Sequence, residues 1–157
     1  MRFRFCVGLT ALLVLTGCND NEVGDVSLGL FTTKDIKIES LTDPVVTGVT
    51  CHLSNVEADL DLADPSDMSL ACRQTGSISA AMLSDIDRSK EGELLYRKSK
   101  SVLFKSLKIR RIYDADSQSL LYLAYSTKET RGSFKHALSS VPLWGTEAWR
   151  EAGSDEQ

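Results

Sequence analysis

Apolar and polar residues alternate in short runs along most of this chain, and the pattern predicts a mostly antiparallel β protein. Ile36-Lys37-Ile38-Glu39 alternates and reads as a strand, stopped by Asp43-Pro44. Val49-Thr50-Cys51-His52-Leu53 is the next, with Val49, Cys51 and Leu53 on one face. Met68 to Arg73 forms a third strand, and Gly92 to Lys98 and Leu103 to Tyr113 form two more. The last of these puts Leu103, Leu107, Ile109 and Tyr113 on one face, with Lys105 and Arg111 intervening. Asp114-Ala115-Asp116-Ser117 supplies a turn. Leu120 to Tyr125 is apolar on both faces, which predicts a central strand covered on both sides. Helical spacing enters twice. Ile78, Met82 and Ile86 stand four apart behind a serine that can cap, so a short amphipathic helix is expected on a sheet. Ser133 to Ser140 reads as a second helix of one or two turns, ended by Pro142. The fold class expected is mainly β (α+β): a single antiparallel β-sheet domain, sandwich- or barrel-like, with one or two short helices. No internal repeat is visible.

The first eighteen residues break this pattern. Arg2 and Arg4 precede an apolar run from Val7 to Leu15, too short for a bilayer core of about 30 Å that needs roughly 20 residues. That is the arrangement of a cleaved secretory signal. Leu15-Thr16-Gly17-Cys18 completes it and looks like a bacterial lipobox. In proteins with that motif the cysteine thiol takes a diacylglyceryl group, and cleavage before it frees an amino group that is often acylated too. Two or three chains anchor a protein stably where one binds only marginally. The expected location is the periplasmic side of a bacterial membrane, the outer one favoured over the inner by Asn19-Asp20 after the cysteine.

The 157 residues are 42 % hydrophobic and 25 % charged, ordinary for one globular domain, and they exclude a collagen-like or polytopic membrane chain. Removing residues 1–17 leaves 140 residues with 16 basic and 22 acidic side chains, a net charge of −6. A domain of that size buries roughly two-thirds of its unfolded surface, enough for one core. The organisation expected is a signal over 1–17, a polar tether over 18–25, one domain over 26–145 and an acidic tail over 146–157.

With Cys6 in the signal and Cys18 carrying lipid, Cys51 and Cys72 remain in an oxidising compartment where disulfides persist. Each shares a face with leucine, so both thiols point at the core. A bridge between them reads as a buried staple rather than a redox pair, because no Cys-x-x-Cys lowers either thiol pKa. Other chemistry is sparse. His52 and His136 are the only imidazoles, and no His-x-x-x-His or Cys/His cluster offers zinc a site. No Gly-x-Ser-x-Gly elbow or phosphate loop is present, so an enzyme is not the expected class, and neither a metal nor a cofactor is implied. Residues 54–68 carry Glu57, Asp59, Asp61, Asp64 and Asp67 without a base, and read as a solvated acidic loop that lacks the glycine of an EF-hand.

Charge is segregated elsewhere. Arg97, Lys98, Lys100, Lys105, Lys108, Arg110 and Arg111 fall within fifteen residues that hold no acid. Such a segment suits phosphate-bearing lipid or an acidic envelope protein. It also suits the blander role of keeping strand edges from aggregating, or of pairing with the acidic loop. Nucleic acid is not an expected partner, since aromatic residues are not interleaved for base stacking.

Several segments resemble the bacterial CreA family, named for catabolite regulation. They are Asp43-Pro44, Val49-Thr50-Cys51, Cys72-Arg73-Gln74 with Gly76, the run Ser101-Val102-Leu103-Phe104-Lys105-Ser106-Leu107, Tyr122-Leu123-Ala124-Tyr125-Ser126, and Gly132-Ser133 running to Val141-Pro142. The resemblance spans residues 22–144 in family order. It implies a small exported envelope protein linked by name to carbon-source regulation, and it supplies no catalytic residue. Members of that family carry an ordinary cleavable signal, whereas this signal ends in Cys18. The function expected is a lipid-anchored, non-enzymatic binding or accessory module. The alternative is a redox-responsive module using Cys51 and Cys72.

Overall fold

Each half of the chain folds into its own four-stranded antiparallel meander, and the two meanders stack as a sandwich. The computed structural model describes residues 21–30, 32, 34–58, 68–99, 106–127 and 135–149. The first sheet runs in the order β1 (Glu22–Ser27), β2 (Lys34–Thr42), β3 (Val49–Ala58) and β4 (Met68–Gln74). The second runs β5 (Glu93–Ser99), β6 (Ser106–Asp114), β7 (Ser119–Ser126) and β8 (His136–Pro142). Between them lies one short helix, α1 (Ala80–Ser84). β4 runs beside β8, where the Cys72 N–H donates to Ser139 Oγ at 2.8 Å. No ladder joins the two sheets, so the sandwich is not a closed barrel.

Period-two burial places the core. Val49, Cys51 and Leu53 of β3 are buried, and they face Leu107, Ile109, Leu120, Tyr122 and Ala124 of the second sheet. Cys51 and Cys72 stand directly opposite each other in the β3–β4 register and are joined as a disulfide. With a sequence separation of 21, the bridge contributes about 3 kcal/mol in the chain-entropy picture. Ser79 caps α1, its Oγ accepting from the Met82 N–H. The buried residues there are Leu83 in the helix with Ile78 before it and Ile86 after it. The helix is shorter than the four-residue spacing predicted, because Asp85 already ends it.

Four expectations change. The helix expected over Ser133 to Ser140 is replaced, among the described residues, by a strand: residues 136–140 belong to β8, which pairs with β7 from Tyr125–His136 to Ser119–Pro142. Ala137, Ser139 and Val141 turn inward there and His136, Leu138 and Ser140 outward, an alternation the edge of β7 rewards and an isolated segment does not. The tether expected over 18–25 gives way at Glu22 to β1, which covers the free edge of β2. Residues 54–58, expected in the acidic loop, instead continue β3, paired with β2 throughout and with β4 at Ser54 and Asn55. The body continues past 145, for Ala148 is buried and its N–H donates to Ile78 O. Residues 1–20, 59–67, 100–105, 128–134 and 150–157, which hold the signal, Cys18, the rest of the acidic loop, Lys100, Lys105, Ser133 and most of the tail, lie outside the described residues.

A buried polar cluster pins the two sheets together. Asp43, which ends β2, is 2 % exposed, and Arg111 in the middle of β6 is 1 % exposed. Asp43 Oδ1 accepts from the Val45 and Val46 N–H groups and from Arg111 Nη1 at 2.5 Å. Its Oδ2 accepts from Tyr122 Oη at 2.8 Å, and Arg111 Nη2 also pairs with Glu93. The loop carrying Asp43 is itself wedged in place. A Cβ on Gly48 would stand 2.2 Å from Ser77 O, and Gly48 O accepts from the Thr75 and Gly76 N–H groups, so only glycine permits that approach. Burial, with the Asp43 charge beside it, pushes the Tyr122 hydroxyl well above the usual tyrosine range.

Removing one partner of a buried ion pair costs about 3–5 kcal/mol, because the other charge is left unmatched. Arg111→Met should therefore cost that much in urea unfolding, while adding Asp43→Asn should recover a large part of it. A single variant as stable as the parent would contradict the role given to the pair. A second outcome follows from Tyr122. The folded chain keeps that proton while the unfolded chain releases it near pH 10, about the ordinary tyrosine value, so the unfolded state binds fewer protons and stability falls as pH rises past that point. Tyr122→Phe should flatten the fall between about pH 9 and 11 in denaturant melts.

Candidate functional site

The face of the second sheet turned away from the first carries the strongest site. Its residues follow from register. Lys108, Arg110 and Ile112 of β6 stand opposite Tyr125, Leu123 and Leu121 of β7, and Leu123 and Tyr125 stand opposite Leu138 and His136 of β8. An open groove of about 580 Å³ runs over this face, lined by Ile112, Leu123, Tyr125, Ser126, Lys135, His136 and Leu138. A second hollow continues it past Ile112, Leu123 and Tyr125 to Arg110, Lys90 and Glu91. The floor is apolar and the rim is mostly cationic.

The expectation that Leu120 to Tyr125 is covered on both sides is thus half right. Leu120, Tyr122 and Ala124 are buried, but Leu121, Leu123 and Tyr125 keep partial exposure, and Leu138 beside them is 60 % exposed. Apolar side chains stand in water here with nothing described over them.

The rim is ordered by its own bonds. Arg110 Nε donates to Tyr125 Oη at 3.1 Å, and Nη1 donates to the carbonyls of Glu91 and Gly92 at 3.1 and 2.9 Å. The Tyr125 contact, against a smaller cost of burial, raises the guanidinium above its ordinary value, so its charge is fixed. Gly92 makes this corner possible, with φ +65° and space for no Cβ, which would fall 2.0 Å from Arg111 O. Arg97 stands directly opposite Lys108 in the β5–β6 register. Like charges in that relation destabilise a sheet.

The structure divides the basic segment read from sequence. Lys108 and Arg110 reach the outer face. Arg111 does not: it shares strand parity with Leu107 and Ile109 and is buried against Asp43. Lys98 also turns inward, because an irregularity between Leu94 and Tyr96 shifts the parity of β5. It pairs with Glu39 and with Glu57 at 3.1 Å. Burial works against the Lys98 charge, and the two carboxylates outweigh it and raise the ammonium above its ordinary value. Tyr96 Oη donates to Glu39 in the same cluster, and burial together with that contact raises the phenol. Lys100 and Lys105 lie outside the described residues. Arg97 belonged to the basic segment from the sequence on, whereas Lys90, Lys135 and His136 were missed as members of this face. His52 stands on the outer face of the other sheet, opposite Ser40 and Ala71, with its neighbour Cys51 turned inward.

Among the described residues no group of three histidine, cysteine or carboxylate side chains is placed to hold a metal ion. Among the same residues, no helix is long and apolar enough to cross a membrane.

The family model for the CreA protein matches residues 23–146. The protein CreA of Escherichia coli strain K12 is 42 % identical over 124 residues, covering 74 % of this chain and 75 % of that protein, and the CreA proteins of the O6:H1 and O157:H7 strains match to the same extent. No solved structure matches the chain.

An apolar floor with a cationic rim takes up an anionic dye that fluoresces in apolar surroundings. Anilinonaphthalene sulfonate should bind the folded protein, and Leu138→Asp should lower that fluorescence. Leu138 is mostly exposed, so the substitution should leave the unfolding free energy within about 0.5 kcal/mol of the parent. Dye binding unchanged in the variant would place the apolar site elsewhere.

Proposed function

The chain belongs to the CreA family, and we propose that this member is a lipid-anchored, non-enzymatic binding module on the periplasmic side of a bacterial membrane. Support for the anchor comes from the sequence: a basic start, a short apolar run and Leu15-Thr16-Gly17-Cys18. Support for binding comes from the outer face of the second sheet. The observation that carries it is the opposition of Arg97 to Lys108 with Arg110 alongside, above a floor of Ile112, Leu123 and Leu138. A sheet that needs only solubility gains nothing from two opposed cations over exposed leucines. An anionic partner with an apolar contact region supplies what both features lack.

The redox-responsive alternative draws less support. Cys51 is buried at 2 % exposure, and Cys72 is partly buried where β4 runs beside β8. A bridge so enclosed reads as a staple of the first sheet.

Two measurements test the proposal. Intact-mass analysis of the native protein should give a chain beginning at Cys18 with acyl groups attached. Crosslinking in the envelope, followed by purification, should recover a partner whose yield collapses in the double variant Lys108→Glu and Arg110→Glu, with thermal melting still cooperative. An unprocessed N-terminus would sink the anchor, and undiminished recovery in the charge-reversed variant would sink the binding surface.

A further inference from the structure

The leading edge of the first sheet is built inside out. In the β1–β2 and β2–β3 registers, Val26 stands opposite Ile36, Ile36 opposite Val56, and Gly24 opposite Ile38. These residues have the parity opposite to Leu41 and Cys51, so they face away from the second sheet. The parity turned toward it carries Asp25, Asp35, Lys37, Glu39 and Glu57. A sheet with one solvated face ordinarily places its apolar side chains the other way. β1 and its turn add further exposed apolar surface, with Val23 at 60 %, Val26 at 53 % and Leu30 at 99 % exposure.

Charge follows the same division. Every described acid of the first sheet lies on the inward parity, Glu22 included, since it stands opposite Glu39 and pairs with Lys37. The charged side chains on the outward parity are Lys34, opposite Ala58, and Arg73, opposite Thr50, both cations. An apolar centre flanked by cations and free of carboxylates is complementary to an anionic bilayer surface.

Chain length brings that surface close. Cys18 lies three residues before Asn21, a reach of at most about 11 Å. Asn21 is itself fixed, its carbonyl accepting from the Ser40 N–H at 2.7 Å. We propose that the outer face of β1–β3 rests on the anionic phospholipid surface that holds the acyl chains, with Val26, Ile36, Ile38 and Val56 against the headgroups and the β1–β2 turn dipping at Leu30. This inference rests on the proposed acylation of Cys18. It turns the groove of the second sheet, on the opposite side of the sandwich, away from the membrane and toward the aqueous space.

The test uses the full chain, acylated in the bacterium and reconstituted in vesicles of phosphatidylethanolamine and phosphatidylglycerol. A photo-crosslinking benzophenone amino acid replaces Val26, Leu30 or Leu138, one at a time. Leu30 is 99 % exposed, so its replacement leaves the fold intact and keeps the test open should the Val26 variant misfold. Lipid adducts are expected at Val26 and Leu30 and lost at Leu138. An acylated chain without lipid adducts at Val26 and Leu30, or with as many at Leu138, overturns the inference alone. Adducts of twice the chain mass at Val26 overturn it in favour of a second copy on this face. A bare Cys18 in the same mass spectra overturns the anchor and this inference with it.

Discussion

The arrangement of the two sheets depends on one buried charge meeting another. Asp43 closes β2, Arg111 lies mid-strand in β6, and Tyr122 in β7 completes the contact. Apolar side chains between sheets tolerate sliding, since one leucine contact is much like the next. A carboxylate that accepts from two backbone N–H groups, a guanidinium and a phenol tolerates no such shift, because any displacement strands a charge in the core. Well-packed apolar replacements of buried ion pairs are often no less stable; the ion pair sets registry as much as strength. The Gly48 approach to Ser77 and the Asp43 turn hold the carboxylate where Arg111 needs it.

Much of this was legible in the sequence. The strands at β2, β3, β4, β6 and β7 follow from alternation, and the pairing of Cys51 with Cys72 from their shared faces with leucine. Arg111 was counted with the basic surface segment, although an odd-numbered residue in line with Leu107 and Ile109 faces the core with them. Its partner was not legible, because Asp43 lies 68 residues away and nothing local marks it. β1 was hidden by the irregularity between Glu22 and Gly24, which breaks the alternation of Val23 and Val26. β8 was hidden because a short run with alanine and serine has weak preferences of its own and takes its conformation from the edge it joins. The outer groove was visible only in part. Lys108 and Arg110 stood out as charge, but the lysine and histidine across from them come from a different strand and enter only through register.

The two outer faces differ in build. One is apolar with cations at its ends, and the other is an apolar groove with cations at its rim. Among the described residues, the acids of the first sheet's strands lie between them, along the inward parity of β1 to β3, where Lys98 and Tyr96 of the second sheet meet Glu39 and Glu57. The net negative charge of the whole chain therefore says little about what the outer face of the first sheet attracts, since its strands turn their described carboxylates to the other side.

The division of the chain into two successive meanders has a consequence for how it comes to be. Every strand pairing joins neighbours in sequence, so the N-terminal sheet needs nothing from the C-terminal half to form its ladders or to bring its two cysteines together. Synthesis delivers that half first. The first sheet waits with Asp43 and its own inner apolar face uncovered until β6 and β7 arrive. The order of the strands thus lets covalent closure of one layer come before the docking of the other, and the late event is the one that neutralises the stranded carboxylate.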